Sequence, residues 1–198
     1  MPAVDLPTAQ LRRAASYVAL ANLAYFFVEF SVARHIGSVS LFADSIDFLE
    51  DASVNFLVLV ALGWTVQRRA GVAMLLALLL LVPGIATAWM AWNKFLAPEP
   101  PAEWALSMTG LGALIVNVSC AVVLTRVRNV AGSLSRAAFL SARNDALANV
   151  AIIGAGVVTF FWASAWPDLV VGVGIFLLNL DAAREVFEAA RREADSAA

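Results

Sequence analysis

Long apolar blocks dominate this chain, and six of them each have about the length that crosses a bilayer. They take up most of the 198 residues and leave only short loops and two short tails. Composition agrees. Apolar residues make up 62% and charged residues 14%, against roughly 45–50% and about 25% in soluble domains. Mean hydropathy is +0.82. A soluble globule and intrinsic disorder are both excluded, and a lone cysteine excludes a disulfide scaffold. A net charge of −2 offers no basic patch for nucleic acid. The first block lacks a small-residue cleavage site and reads as a retained span, not a signal peptide.

The expected fold is all-α: a polytopic membrane protein with six transmembrane helices at about residues 14–33, 39–64, 71–92, 103–125, 136–162 and 167–181. Residues 1–181 then form one domain, and 182–198 a short cytoplasmic helical tail. Ala97-Pro98-Glu99-Pro100-Pro101 cannot continue a helix and marks a loop. Pro167 suits the first turn of the last span. Basic residues orient the bundle. Arg12, Arg13, Arg68, Arg69, Arg126, Arg128, Arg136, Arg184, Arg191 and Arg192 fall on one side, and only the loop residues Arg34 and Lys94 on the other. Both termini are therefore expected in the cytoplasm and the chain in the cytoplasmic (inner) membrane. Arg143 lies inside the fifth span, within snorkelling reach of its cytoplasmic end.

The second span carries Asp44, Asp47, Glu50 and Asp51 within eight residues, followed by Asn55. Each carboxylate costs roughly 2.5–3.5 kcal/mol at the bilayer centre on insertion scales. Repeated four times, such a cost points to function. Asp47, Asp51 and Asn55 stand at i, i+4 and i+8 and share a face, with Asp44 one turn earlier on nearly the same side. Neighbouring carboxylates in low dielectric repel one another, and a proton, a cation, or each in turn relieves the repulsion. The fifth span repeats the spacing with Ser141, Asp145 and Asn149, and places Asn144 beside Asp145. The two spans run in opposite directions, so Asp47, Asp51 and Asp145 are expected to meet near the midplane as a cation site of hard oxygen donors. A buried ion pair to Arg143 is the structural alternative. For Asp44 and Glu50 the alternative is a water-filled outer vestibule.

The first span carries Asn22 and Glu29 on one face. Asn22 reads as polar packing between helices, while Glu29 stays open between packing and a cation pathway. His35 falls at the outer end of that span and reads as a solvated loop residue. Cys120 reads as a small packing residue. Trp64, Trp92, Trp104, Trp162 and Trp166 lie near span ends, as an aromatic belt does. Gly172 and Gly174 allow close packing in the last span.

Two stretches carry a family resemblance. The first runs from Asn22 and Glu29 through Gly37-Ser38-Val39-Ser40-Leu41 and Ala43-Asp44-Ser45 to Asp47-x-x-x-Asp51. The second is Ser141–Asn149, followed by Trp166-Pro167-Asp168-Leu169-Val170-Val171-Gly172. Together they resemble the cation diffusion facilitator family of divalent-metal/proton antiporters. The resemblance implies a metal site of Asp47 and Asp51 with Asp145 and Ser141, and a homodimer. Ser141 stands where the family usually has His or Asp, which removes an imidazole ligand and a proton-exchanging group. Asn149 or Asn144 then supplies the fourth ligand. The family's cytoplasmic metal-binding domain and its His-rich loop between spans four and five are not expected here.

The function this implies is divalent metal efflux by cation/proton antiport, not catalysis. The substrate is a divalent metal ion (Zn, Mn, Co, Fe or Cd), and Asp44, Glu50, Glu29, Asn22, Asn55 and Asn144 line its path or support its ligands. One alternative is a non-transporting membrane accessory or metal-sensing protein of the same fold. Another is an intramembrane enzyme with paired aspartates as acid and base, although no obvious nucleophile accompanies them.

Overall fold

The computed structural model describes residues 6–61 and 65–196, and for some helical residues, Ser141 and Arg143 among them, the backbone only. Trp64 lies outside the described residues. Five helical elements follow one another: α1 (Leu6–Ile36), α2 (Val39–Ala61), α3 (Val66–Leu96), α4 (Glu103–Phe161) and α5 (Trp166–Ser196). The protein is an all-helical membrane protein. Three segments are long and apolar enough to cross a bilayer among the described residues: Arg12–Ile36, Glu103–Arg126 and Asn144–Phe161. α2 is too rich in carboxylates to join them. The surface inverts the soluble pattern: Ile85, Trp89, Trp104, Phe160 and Phe161 are exposed, while Asn22, Glu29, Asp44, Asn149 and Asp168 are buried.

Several boundaries depart from expectation. α1 begins earlier than residue 14, and α3 extends past 71–92 at both ends. The loop expected over 126–135 is helical, so spans four and five belong to one 59-residue helical run. That segment has no proline and a single glycine, so nothing in it forbids helical hydrogen bonding. A straight run of this length would reach about 88 Å, yet its ends meet. Gly110 lies against Ile152 and Ile153, and Gly156 against Ser107 and the Glu103 carbonyl. The element therefore doubles back between Gly110 and Ile152, giving two antiparallel arms.

α2 is the hub. It packs against α1, α3, α4 and α5, whereas α1 packs on α4 and α3 on α5. The turn into it is sharply defined. Gly37 takes a positive φ of 65°, which favours glycine. The Ser38 N–H then bonds the Ala33 carbonyl at 3.0 Å, closing α1. The Ser38 hydroxyl in turn accepts from the Leu41 N–H at 3.1 Å, capping α2.

Asp168, in the first turn of α5, completes the junction. Its carboxylate accepts from the Val39 and Ser40 N–H groups (2.9 and 3.1 Å) and from the Ser38 and Ser40 hydroxyls (both 2.6 Å). A carboxylate at a helix N-terminus satisfies orphan donors and complements the dipole. Lys94, near the end of α3, adds an ion pair to Asp168 at 3.0 Å and donates to the Gly37 carbonyl at 2.5 Å. The expectation that Lys94 is a loop cation is corrected here. It sits inside α3 and is buried, paired with a carboxylate, Asp168, that is buried too.

Two outcomes check this packing. Asp168→Ala leaves Lys94 and four donors without their acceptor and lowers stability by about 3–5 kcal/mol, read as thermal unfolding of the purified protein in detergent. A Cβ at Gly172 would come within 2.6 Å of the Ser40 nitrogen and 2.7 Å of the Val39 carbonyl carbon, whereas one at Gly174 meets nothing within 4 Å. Gly172→Ala should therefore cost about 1–3 kcal/mol of overpacking strain and Gly174→Ala close to nothing in the same assay.

Candidate metal site

Three elements frame a cavity of ≈ 730 Å³: α2, the second arm of α4, and α5. α2 contributes Asp47, Glu50 and Asp51, which the 3.6-residue period puts on one flank. The α4 arm contributes Asn144 and Asp145, and α5 contributes Asn179 and Asp181 among apolar neighbours such as Val171, Ile175 and Leu178. The arrangement is electrostatically coupled across helices. Asp47 lies in the field of Asp145, Asp44, Glu50 and Asp51, and Asp145 in that of Asp51, Asp44 and Glu50. Like charges held this close attract cations and repel each other.

The three aspartates thus share one cavity, but they do not form a closed ligand cage. Among the described residues, no three His, Cys, Asp or Glu side chains stand close enough to hold one ion together. The Ser141 side chain lies outside the described residues.

Asn149 and Asn55 behave alike. Each amide donates to the carbonyl four residues earlier, Asn149 to Asp145 at 2.7 Å and Asn55 to Asp51 at 2.8 Å. Neither lines the cavity, whereas Asn144 does. Asn149 is fully buried, and its Oδ1 has no hydrogen-bond partner among the described residues.

Asn22 does more than pack. Its Nδ2 donates to Asp51 Oδ2 at 3.3 Å, and its Oδ1 accepts from the Cys120 thiol at 3.7 Å. It thereby links α1, α2 and α4 at one aspartate. Cys120 itself packs with Val18 and Leu124, as a small apolar residue does. Glu50 lines the cavity, but Asp44 is fully buried, which removes the vestibule reading for it. Glu29 is likewise fully buried and faces Asp44. His35 is exposed in the last turn of α1.

Sequence reasoning missed Asn179 and Asp181 as cavity residues. Asn179 also donates to the Ala43 carbonyl at 3.4 Å. Its only signal was a polar side chain late in an apolar run. Asn22→Leu should remove the amide hydrogen bond to Asp51 and lower cation affinity by about 10–100-fold, the usual effect of losing a group that orients a ligand. Isothermal titration with divalent metal measures this, with the thermal unfolding midpoint as the control for folding.

Compared with known families, residues 15–193 match the cation efflux transmembrane domain. No curated protein matches the chain. The family match spans nearly the whole chain. The chain belongs to the cation efflux family, the cation diffusion facilitators, whose members move metal cations across membranes.

Proposed function

We propose that this protein exports a divalent metal cation from the cytoplasm across the inner membrane in exchange for protons. In this reading six spans cross the bilayer, α4 supplying two of them, and both termini are cytoplasmic. The family resemblance supports a homodimer. One observation carries the reading: Asp47 and Asp51 on α2 and Asp145 on the α4 arm line one cavity inside a membrane bundle. Asn144 is the neutral oxygen best placed beside them, with Ser141 and Asn149 as the remaining candidates. The donors are hard oxygens, which Mn²⁺, Fe²⁺, Co²⁺, Zn²⁺ and Cd²⁺ all accept to differing degrees.

The chemistry of exchange follows from charge. A cation binds the carboxylates only when they are deprotonated, so binding releases protons and protons displace the cation. The exposed lining residues Asn144 and Asp181 lie toward the arginine-rich end of the bundle, where metal enters from the cytoplasm. The opposite end is held shut by Asp168, Lys94 and the serines that open α2. Transport then requires this end to open while the arginine-rich end closes.

A second reading, binding without transport, is favoured by the open spacing of the acidic side chains. Metal flux into proteoliposomes under a proton gradient separates the two. With Zn²⁺, Mn²⁺, Co²⁺, Fe²⁺ and Cd²⁺ tested in turn, antiport predicts gradient-dependent uptake of at least one metal, lost in Asp51→Ala and in Asp145→Ala. Uptake unaffected by both substitutions overturns the proposed site. Aspartate-dependent metal binding with no flux establishes the sensor reading instead.

A further inference from the structure

Between the junction at Asp168 and the cation cavity lies a pair of carboxyl groups that the cavity does not use. Glu29 of α1 and Asp44 of α2 are both 0% exposed. They stand within hydrogen-bonding reach of each other, side chain to side chain. Yet none of their four oxygens has a donor among the described residues. The hydroxyls nearby in sequence are committed elsewhere: Ser31 donates to the Phe27 carbonyl at 2.6 Å, Tyr25 to the Thr109 carbonyl at 2.6 Å and Ser45 to the Phe42 carbonyl at 2.7 Å. Among the described residues, the other titratable groups acting on the pair are Tyr25 on α1, Asp47 on α2 and Asp145 on the α4 arm, none of which brings a positive charge.

Two ionised carboxylates are acceptors only and cannot bond one another. A single proton changes this, since one carboxyl becomes the donor and the other its acceptor. A metal ion does not fit as well. Zinc takes four ligands at the least, and harder divalent cations six or more. The pair offers two carboxyl groups, neither residue lines the cavity, and among the described residues no third His, Cys, Asp or Glu stands close enough to complete a metal site with them. We propose that Glu29 and Asp44 form a proton-binding site, holding one shared proton between α1 and α2, separate from the cation cavity. Asp44 is three residues from Asp47, so the proton sits one helical turn from the cation, on the side toward Asp168. Resting on the antiport reading, this is where the exchanged proton is held.

Infrared spectroscopy of the purified full-length protein at neutral pH tests the site without requiring transport. The expected result is a deuterium-sensitive carboxylic-acid C=O component in the wild type. It disappears in Glu29→Gln and in Asp44→Asn and persists in Asp47→Asn. In either of the first two variants the new amide N–H donates to the remaining carboxylate, so both should fold, and the thermal unfolding midpoint checks that they do. A component absent from the wild type, or unchanged in both variants, overturns the proposal. Loss in only one of the two assigns the proton to a lone acid and overturns the shared site. If the component behaves as expected but no metal is carried, the antiport reading fails and the proton site stands. In proteoliposomes that do carry metal, Glu29→Gln should exchange one proton fewer per metal while metal affinity stays within about threefold. An unchanged exchange ratio overturns its part in coupling.

Discussion

The structure depends on how one buried carboxylate is satisfied. Asp168 sits in an apolar bundle where an unpaired charge is prohibitively unstable. It is met by two helix N–H groups, two serine hydroxyls and the Lys94 ammonium. Those partners come from the start of α2 and the end of α3, while Asp168 itself begins α5. A single group therefore registers three helices against one another at one end of the bundle. Gly172, one turn further along α5, brings its backbone against the start of α2. The axial position of α2, and with it the height of every carboxylate below, follows from that junction.

Once α2 is placed, its acidic residues fall into different surroundings according to which neighbour they face. Asp44 meets Glu29 on α1 and is sealed. Asp47, Glu50 and Asp51 face the α4 arm and α5, where the walls part into a cavity. Side chains of one chemical type on consecutive turns of one helix are thus sorted by burial alone. In a transporter that sorting matters, because a hydrated cation needs space and several ligands, whereas a proton needs only two oxygens. Asn22 sits between these regions, with one side on Asp51 and the other on Cys120.

Much of this was legible in residue order. The i, i+4 spacing of Asp47 and Asp51, and of Ser141, Asp145 and Asn149, put oxygen donors on single helix faces, and the cavity does collect Asp47, Asp51 and Asp145. The proline-rich segment at 97–101 does end α3. Other features were not legible because they are pairings between distant parts of the chain. Lys94 and Asp168 are 74 positions apart, and Asn22 and Asp51 are 29 apart. Lys94 looked like a loop cation because local hydropathy cannot report a partner on another helix. The segment near 126–136 looked like a loop because its arginines mark a membrane boundary. Leaving the membrane does not oblige residues to leave helical conformation, and these keep it although the element reverses direction. Asn149 kept the right spacing, but its amide turns back to its own helix.

The sequence by itself determined the class of molecule. Apolar blocks of bilayer length admit only helices that satisfy their own backbone, and four carboxylates in one of them mark where the chemistry lies. Tertiary structure decided which of those carboxylates share a cavity, which are sealed in pairs, and which polar residues hold them. The physical reason is that periodicity assigns a side chain to a face of its own helix. What that face meets, and so its exposure, its partners and its electrostatic field, depends on helices brought alongside from elsewhere in the chain.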